Sequence, residues 1–529
     1  MTPQPTIHVA LPEGERTIVL SQDAKGLLVA ELLRRENLPL NTRCGQRGLC
    51  DGCLVELSQP DGSARMVRAC ELAADFACDV RLTVPARSLL RYAPQVVTSF
   101  RTNVSVGRDP LWAEARAGDL GAAIDIGTTT VVVMLVELGE GRILATSAGF
   151  NRQMHLGDDV LTRINLCSID KSMIDTLRKA VIDQTIVPLL RESLQSAGAT
   201  ASRLKTVAVA GNATMLHLFA GVDPTSMGVA PFTPAFLEHR VSDGLAIDGT
   251  SPEVHLLPGS AAYVGADLSA GIFATGLLYE DGPSLLVDIG TNGEIILKHD
   301  GKLYGCATAA GPAFEGAGLE CGLRAGDGAI ERIRLSRDPL SVEIEVIGGV
   351  NPAGICGSAY VDFLAQGRRT GILSATGRLD PTDSDELIGS WQEHGQALRV
   401  AWGAGRQPVV ISERDVAKLL QAKAAIAAGI LTLLERVHLK PADVKTLHLA
   451  GGFGMHISVA NAIGCGLLPG FREDQIEVVG NTSLAGAYLT LLDRTVLDEL
   501  ERIRVSMSIV ELNLDPNFES RFVDQLALP

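Results

Sequence analysis

Four cysteines, Cys44, Cys50, Cys53 and Cys70, stand in the pattern C-x5-C-x2-C-x16-C. Three of them share the loop Thr42-Arg-Cys-Gly-Gln-Arg-Gly-Leu-Cys-Asp-Gly-Cys53. Four thiolates are what a [2Fe–2S] cluster needs, and glycines at 45, 48 and 52 free the loop to aim backbone amides at the sulfides. A tetrahedral zinc ion can use the same ligands, although zinc ribbons usually present two C-x2-C knuckles and this chain has one. Four unrelated core cysteines are the remaining reading. Cys70 is preferred as fourth ligand, with Cys78 as its substitute. Cys167, Cys306, Cys321, Cys356 and Cys465 stand singly and read as packing.

Three glycine-rich turns follow apolar runs further along. They are Asp125-Ile-Gly127-Thr128-Thr129-Thr130, Asp288-Ile-Gly290-Thr291-Asn292-Gly293-Glu294 and Leu449-Ala-Gly451-Gly452-Phe453-Gly454. None is a Walker A or a Rossmann fingerprint. In a strand-Asp-x-Gly-Thr hairpin the glycine lets the turn approach a phosphate, while amides and threonine hydroxyls donate to its oxygens. The aspartate at the strand end can hold hydrated Mg2+, which prefers one or two carboxylates plus phosphates. Two such hairpins facing across a cleft would sandwich a triphosphate, and the third turn can lie flat against an adenosine. Asp125, Asp288 and Glu294 are the catalytic candidates, Glu294 as the group that positions attacking water or else as an ordinary surface residue. Glu315 is a candidate nucleotide or partner contact. Asn212 reads as a turn cap, Asp267 as a residue that shapes the cleft or has no role there, and His155 and His217 as candidate cofactor contacts, with His217 read first as a core or surface histidine on an apolar run.

These residues need elements to position them. Residues 1–93 form a small unit: a hairpin from Thr6–Ala10 and Arg16–Leu20, a helix from Gly26 to Arg35, the cysteine loop, and strands at Leu54–Leu57 and Val80–Val84. That order suits a β-grasp fold. Residues 94–119 read as a linker that lets the small unit swing. Beyond it strands and helices alternate, which argues for α/β architecture. The helix Asp170–Ser196 is expected to kink near Pro188. GAAIDIGTTTVVVMLVEL and SLLVDIGTNGEIILKHD recur about 163 residues apart, which points to a duplicated domain split as 120–280 and 281–529.

Composition narrows the classes. A length of 529 residues implies several domains, and 46 basic against 62 acidic side chains, a net charge of -16, repel a nucleic-acid backbone. The N-terminus lacks a signal-peptide pattern, and the most apolar stretch, 417–434, carries Lys418 and Lys423. A cytoplasmic protein without nucleic-acid or membrane partners is expected, with thiols reduced there.

The small unit resembles β-grasp [2Fe–2S] ferredoxins, departing from the plant type in its first spacing and in how soon the last ligand follows. The remainder resembles the actin-like ATPase superfamily of Hsp70, acetate and sugar kinases and actin, whose phosphate-1, phosphate-2 and adenosine motifs map onto the three turns. Their fusion is similar to the reductive activators of corrinoid proteins. Further matches to that family are Ala210-Gly-Asn-Ala-Thr-Met-Leu-His-Leu218, Val264-Gly-Ala-Asp267, Ala309-Ala-Gly-Pro-Ala-Phe-Glu-Gly316, Gly354-Ile-Cys-Gly-Ser358 and the closing Asp515-Pro-Asn-Phe. The resemblance implies ATP-dependent one-electron reduction of Co(II) to Co(I) in a corrinoid partner of a methyltransferase system. It further implies an upstream electron donor and a homodimer. A dehydratase-type activator and a nucleotide-dependent redox sensor are the alternatives. Some relatives insert a further small domain where this chain has only the linker.

Overall fold

The computed structural model describes residues 5–529 apart from 12–13, 21–23, 25, 39, 41, 43–45, 47, 49–51, 86–87, 90–97, 381–386, 392–394 and 404–406. Cys44 and Cys50 therefore lie outside the described residues.

The small unit is a five-stranded sheet of β1 (Thr6–Leu11), β2 (Gly14–Val19), β3 (Leu54–Ser58), β4 (Ala64–Arg68) and β5 (Val80–Thr83). Its strand order is β2-β1-β5-β3-β4, with β1 and β5 parallel at the centre. The helix Val29–Arg35 packs Val29, Ala30, Leu32 and Leu33 onto one face. This is the β-grasp arrangement that the alternating runs predict. β4 escaped the sequence reading because three of its five residues are exposed and charged or small residues dominate it.

Two six-stranded sheets follow. In the first, β6 (Leu120–Ile126), β7 (Thr130–Glu137) and β8 (Arg142–Phe150) form an antiparallel meander, and β9 (Leu204–Gly211) runs parallel to β6. β10 (Arg240–Ser242) and β11 (Glu253–Leu256) complete the order β10-β11-β9-β6-β7-β8. β6 and β7 are nearly continuous apolar runs because both faces are covered.

The second sheet repeats the plan with β12 (Ser284–Ile289), β13 (Gly293–His299) and β14 (Lys302–Thr308). Two three-stranded sheets come next along the chain. One holds β15 (Ala329–Arg337), β16 (Leu340–Val346) and β17 (Gly354–Ile355); the other holds β18 (Ile388–Trp391), β19 (Gly395–Trp402) and β20 (Pro408–Ser412). β21 (Thr446–Ala450), β22 (Ile476–Gly480) and β23 (Met507–Ile509) then close the large sheet as β22-β21-β12-β13-β14-β23. β21 is parallel to β12 just as β9 is to β6. The duplication thus extends past the hairpins: Ala210-Gly211-Asn212 and Ala450-Gly451-Gly452 occupy equivalent strand ends.

The halves are bound by a helix exchange. The helix Thr482–Leu492 belongs to the C-terminal span by sequence, yet Leu484, Ala485, Leu489 and Leu491 are buried in the core of the first half. It crosses the helix Ala266–Thr275 so closely that a Cβ at Gly486 would meet Ala270 backbone. The apolar stretch around 417–434 is the helix Glu413–Arg436, long and apolar enough to cross a membrane but mostly buried against β13, β14 and β20. The expected kink near Pro188 is a π turn, Ile182–Ile186, joining the helices Ser172–Val181 and Val187–Ser196. Proline has no N–H for the regular ladder, so the preceding turn widens.

Residues 98–119 of the expected linker are fixed along the large unit. Phe100 bridges Gly480, the Arg101 N–H donates to the Val479 carbonyl at 3.1 Å, and Arg494 pairs with Asp109 at 2.8 Å. Apolar residues that look isolated in the sequence, such as Phe100 and Val104, are anchors on this core.

Candidate functional site

One cleft gathers the ends of the two equivalent central strands. Asp125 lies near the end of β6 and Asp288 near the end of β12, and both open onto it together with Gly127, Thr128, Thr129, Thr130, Gly290, Thr291 and Asn292. Gly451 and Gly452 of the third turn line the same cleft, as do Asp267 and Glu294. Gly293 and Gly454 do not: a Cβ at Gly293 would press on Thr308 and Ile426, and one at Gly454 on Leu449. Those two glycines serve packing. Gly451, at φ +88°, brings its turn against Asp288, and a Cβ there would collide with the Asp288 carboxylate and Ile289 carbonyl.

The turns use their first amides internally. Gly127 N–H donates to the Thr130 carbonyl and Gly290 N–H to the Asn292 carbonyl, each at 2.9 Å. These two amides close the hairpins, which leaves the threonine hydroxyls at the surface of the cleft. Asn212 caps the helix Ala213–Ala220 by accepting from Met215 N–H at 3.0 Å, and its amide also donates to Thr128 Oγ1 at 3.2 Å. Arg163, buried and lowered to about 10 by desolvation, donates to the Thr128 carbonyl at 2.6 Å and to Gln153 at 2.9 Å. His217 is structural, with Nδ1 on the Ala213 carbonyl at 2.7 Å and its ring stacked on Phe236.

Asn481 and Ser483 are site residues that motif reading missed. Their side chains donate to the two oxygens of Asp125 at 2.8 and 2.7 Å, from 356 and 358 residues away. The only sequence signal was an asparagine capping the helix after an apolar strand. Glu294 is no surface strand residue: it faces the cleft and pairs directly across the ladder with Asp288.

Four carboxylates thus converge. Burial pushes Asp267 and Asp288 up to about 7, helped for Asp288 by the charges of Asp267 and Asp125. Burial also raises Glu294 well above the usual carboxylate range, with Asp267 and Asp288 adding to it. Asp125 is raised by burial despite its two donors. Among the described residues no three such groups are placed to grip a bare metal ion. The arrangement suits a cation held through its waters, the habit of Mg2+.

The sign of the pH effect follows. These acids bind protons more tightly folded than unfolded, so the stability of the nucleotide-free protein falls as pH rises from about 4 to about 7. A cation must displace those protons. Affinity for Mg-nucleotide is therefore expected to rise between about pH 6 and about pH 8, approaching tenfold per unit where one proton is released. Calorimetric titration in buffers of different ionisation heat counts the protons; affinity flat across that range would contradict the assignment.

In the small unit, Cys53 and Cys70 are both buried in its core, while Cys78 is exposed. The Ala69 N–H donates to the Cys53 carbonyl at 3.0 Å, so the two cysteines sit at the same end of β3 and β4. The small unit also meets the large unit. Thr42 Oγ1 donates to the His155 carbonyl at 3.1 Å, within the turn Arg152–His155. Asn151 immediately before that turn donates to the Gly127 carbonyl from its side chain and to the Thr129 carbonyl from its backbone, each at 2.9 Å. The cysteine loop and the first hairpin are thus joined by one short segment.

Comparison with known proteins gives consistent matches. The family model described as the C-terminal domain of RACo, the ASKHA domain, matches residues 282–529, and that of the RACo middle region matches 120–280. "Corrinoid activation enzyme RamQ" of Eubacterium limosum is 27% identical, with 98% of each chain covered. "[Co(II) methylated amine-specific corrinoid protein] reductase" of Methanosarcina barkeri is 26% identical over 72% of each. The solved structure of a "Reductive activator for corrinoid,iron-sulfur protein" is 30% identical, covers 99% of this chain and 98% of its own, and superposes with a TM-score of 0.73.

Proposed function

The chain belongs to the family of reductive activators of corrinoid proteins, and from that membership we propose that it spends ATP to reduce a corrinoid partner from Co(II) to Co(I). The observation that carries the reading is the convergence of the Asp125 and Asp288 turns on one cleft, with the cysteine loop tied to the first of them through 151–155.

The donor set fits the groups this function needs. Four cysteines, two of them seen buried at one end of the β-grasp sheet, suit iron–sulfur ligation through Cys44, Cys50, Cys53 and Cys70. A [2Fe–2S] cluster held there would supply single-electron transfer. Asp125 and Asp288, with Glu294 beside them, suit hydrated Mg2+ on a nucleotide. Thr128, Thr129, Thr130, Thr291 and Asn292 offer donors for phosphate oxygens, and Gly451–Gly452 offers the flat backbone for adenosine.

The protein's own part is positional. Asn481 and Ser483 hold Asp125 in one orientation from a helix packed into the core of the first half, so closure of the cleft would carry that helix together with the first sheet. Burial holds the Asp288 and Glu294 carboxyls toward their protonated forms, and both would release protons to make room for a cation. The Asn151–His155 segment then passes any shift of the first hairpin to the loop that begins at Thr42.

Energetics explain why ATP is coupled to a one-electron step. Reaching Co(I) is uphill for ordinary cellular donors, and one electron costs about 1.4 kcal/mol per 59 mV. Nucleotide-driven closure worth roughly 5 kcal/mol would offset about 0.2 V, and would move a two-state cleft from about 1:99 to about 99:1. An upstream donor must refill the site after each electron, and a reducing cytoplasm is where such thiolate ligands persist.

ATP consumption should therefore rise when a Co(II) corrinoid protein and a reductant are added, and return to its basal level once the cobalt is all Co(I). ATP binding without sustained turnover would instead describe a nucleotide-dependent sensor.

A further inference from the structure

The two phosphate-type turns already hold an oxyanion, and it belongs to the protein. Thr129 Oγ1 donates to Glu315 Oε2 at 3.1 Å, and Thr291 Oγ1 donates to Glu315 Oε1 at 2.7 Å. One carboxylate thereby spans hairpins from both halves. It offers two oxygens to two hydroxyls, much as a phosphate edge would.

The backbone around Glu315 is fixed on several sides. It ends a single turn of 3-10 helix, Pro312–Glu315, terminated by Gly316 at φ +74°. A side chain at Gly316 would run into the Leu323 backbone. Phe314 stacks on Phe453 of the third turn with ring centroids 5.1 Å apart, and its carbonyl lies where a Cβ on Gly357 would be. The short helix therefore touches all three nucleotide turns, while the Glu315 side chain, half-buried at the cleft wall, is the part with room to move.

We propose that Glu315 is a latch that occupies the phosphate position of the empty cleft, bridging Thr129 and Thr291 until a nucleotide polyphosphate expels it. This rests on the reading of the cleft as a nucleotide site. Two anions cannot share the same two hydroxyls, so every phosphate that enters competes with the carboxylate. The bridge keeps the halves in one spacing when no nucleotide is present. Its loss on binding releases the hairpins from that spacing, so that both can close on the entering phosphates. Relatching after phosphate departs returns the cleft to its starting form.

The test uses the full chain with Glu315→Gln, Glu315→Ala and Thr291→Val. Calorimetry measures Mg-ATP and AMP binding, and hydrogen exchange of the nucleotide-free protein follows amides at 127–131 and 290–293. Both Glu315 variants are expected to bind Mg-ATP about tenfold more tightly, the scale of a lost competing charge-assisted hydrogen bond. AMP, which lacks the outer phosphates, should bind within about twofold of wild type in both Glu315 variants. Exchange at both hairpins should rise in Glu315→Ala, and at the first hairpin in Thr291→Val, which breaks the same bridge from the other side.

Unchanged or weaker Mg-ATP binding in both Glu315 variants, with wild-type exchange, would overturn the latch. So would a slower hydrolysis rate at unchanged affinity, which would assign Glu315 to the chemical step. If wild type and variants alike bound no adenine nucleotide, the nucleotide reading itself would fail and the latch's competitor with it.

Discussion

Asp288→Asn is expected to lower ATP turnover by about a hundredfold or more while leaving the protein folded. The estimate of scale comes from losing one preorganised electrostatic group at the reacting phosphates, worth roughly 10²–10³ in rate. Asp288 sits on the floor of the cleft, opposite Glu294 across the ladder and against the Gly451 backbone. Its pKa of about 7 means that it is poised to exchange a proton for a cation near neutral pH. Asparagine keeps the shape and loses that exchange. Because the carboxylate is held there against burial, the neutral side chain should leave the nucleotide-free protein as stable as wild type or more so above about pH 7. Steady-state phosphate release, alongside a melting curve, reads both effects. Full turnover in Asp288→Asn would remove Asp288 from the path of the cation.

Cys53→Ser is expected to abolish the visible absorption and paramagnetic signal of a reduced [2Fe–2S] centre, and with them all Co(I) formation. The Cys53 side chain is wholly buried where β3 begins, and its carbonyl accepts from Ala69, the residue before Cys70. A serine oxygen there is a poor substitute for a soft thiolate. Cys70→Ser should behave like Cys53→Ser, whereas Cys78→Ser should retain the spectrum, since Cys78 is exposed. Reconstituted protein carrying zinc and no chromophore would instead support the four-thiolate zinc site.

The sequence carried the architecture where physics is local. Continuous apolar runs announced β6, β7, β12 and β21 because those strands are covered on both faces, and Asp-x-Gly-Thr marked where the central strands end. It also exposed the duplication, although only through the hairpins; the matching strand ends at Ala210-Gly211 and Ala450-Gly451 needed the sheet pairing to be seen. What it concealed is non-local. Asn481 and Ser483 reach Asp125 only because the helix Thr482–Leu492 crosses into the first half, a route with no mark in the sequence. Glu294 looked as much like a surface residue as a catalytic one, since strand alternation alone does not say that a cleft lies on its side. The bridging role of Glu315 depends on two hydroxyls 186 and 24 residues away. Residues 98–119 looked like a free linker because their anchors are spaced irregularly, set by the surface they lie on.

The central claim is that nucleotide drives an electron onto cobalt. The direct measurement is anaerobic absorption spectroscopy of a Co(II) corrinoid protein from the same cell, mixed with the reduced activator, with and without Mg-ATP. Co(I) absorption that grows only when Mg-ATP is present is the predicted result. Co(I) formed equally without ATP, or ATP consumed while every corrinoid partner tried stays Co(II), would contradict it.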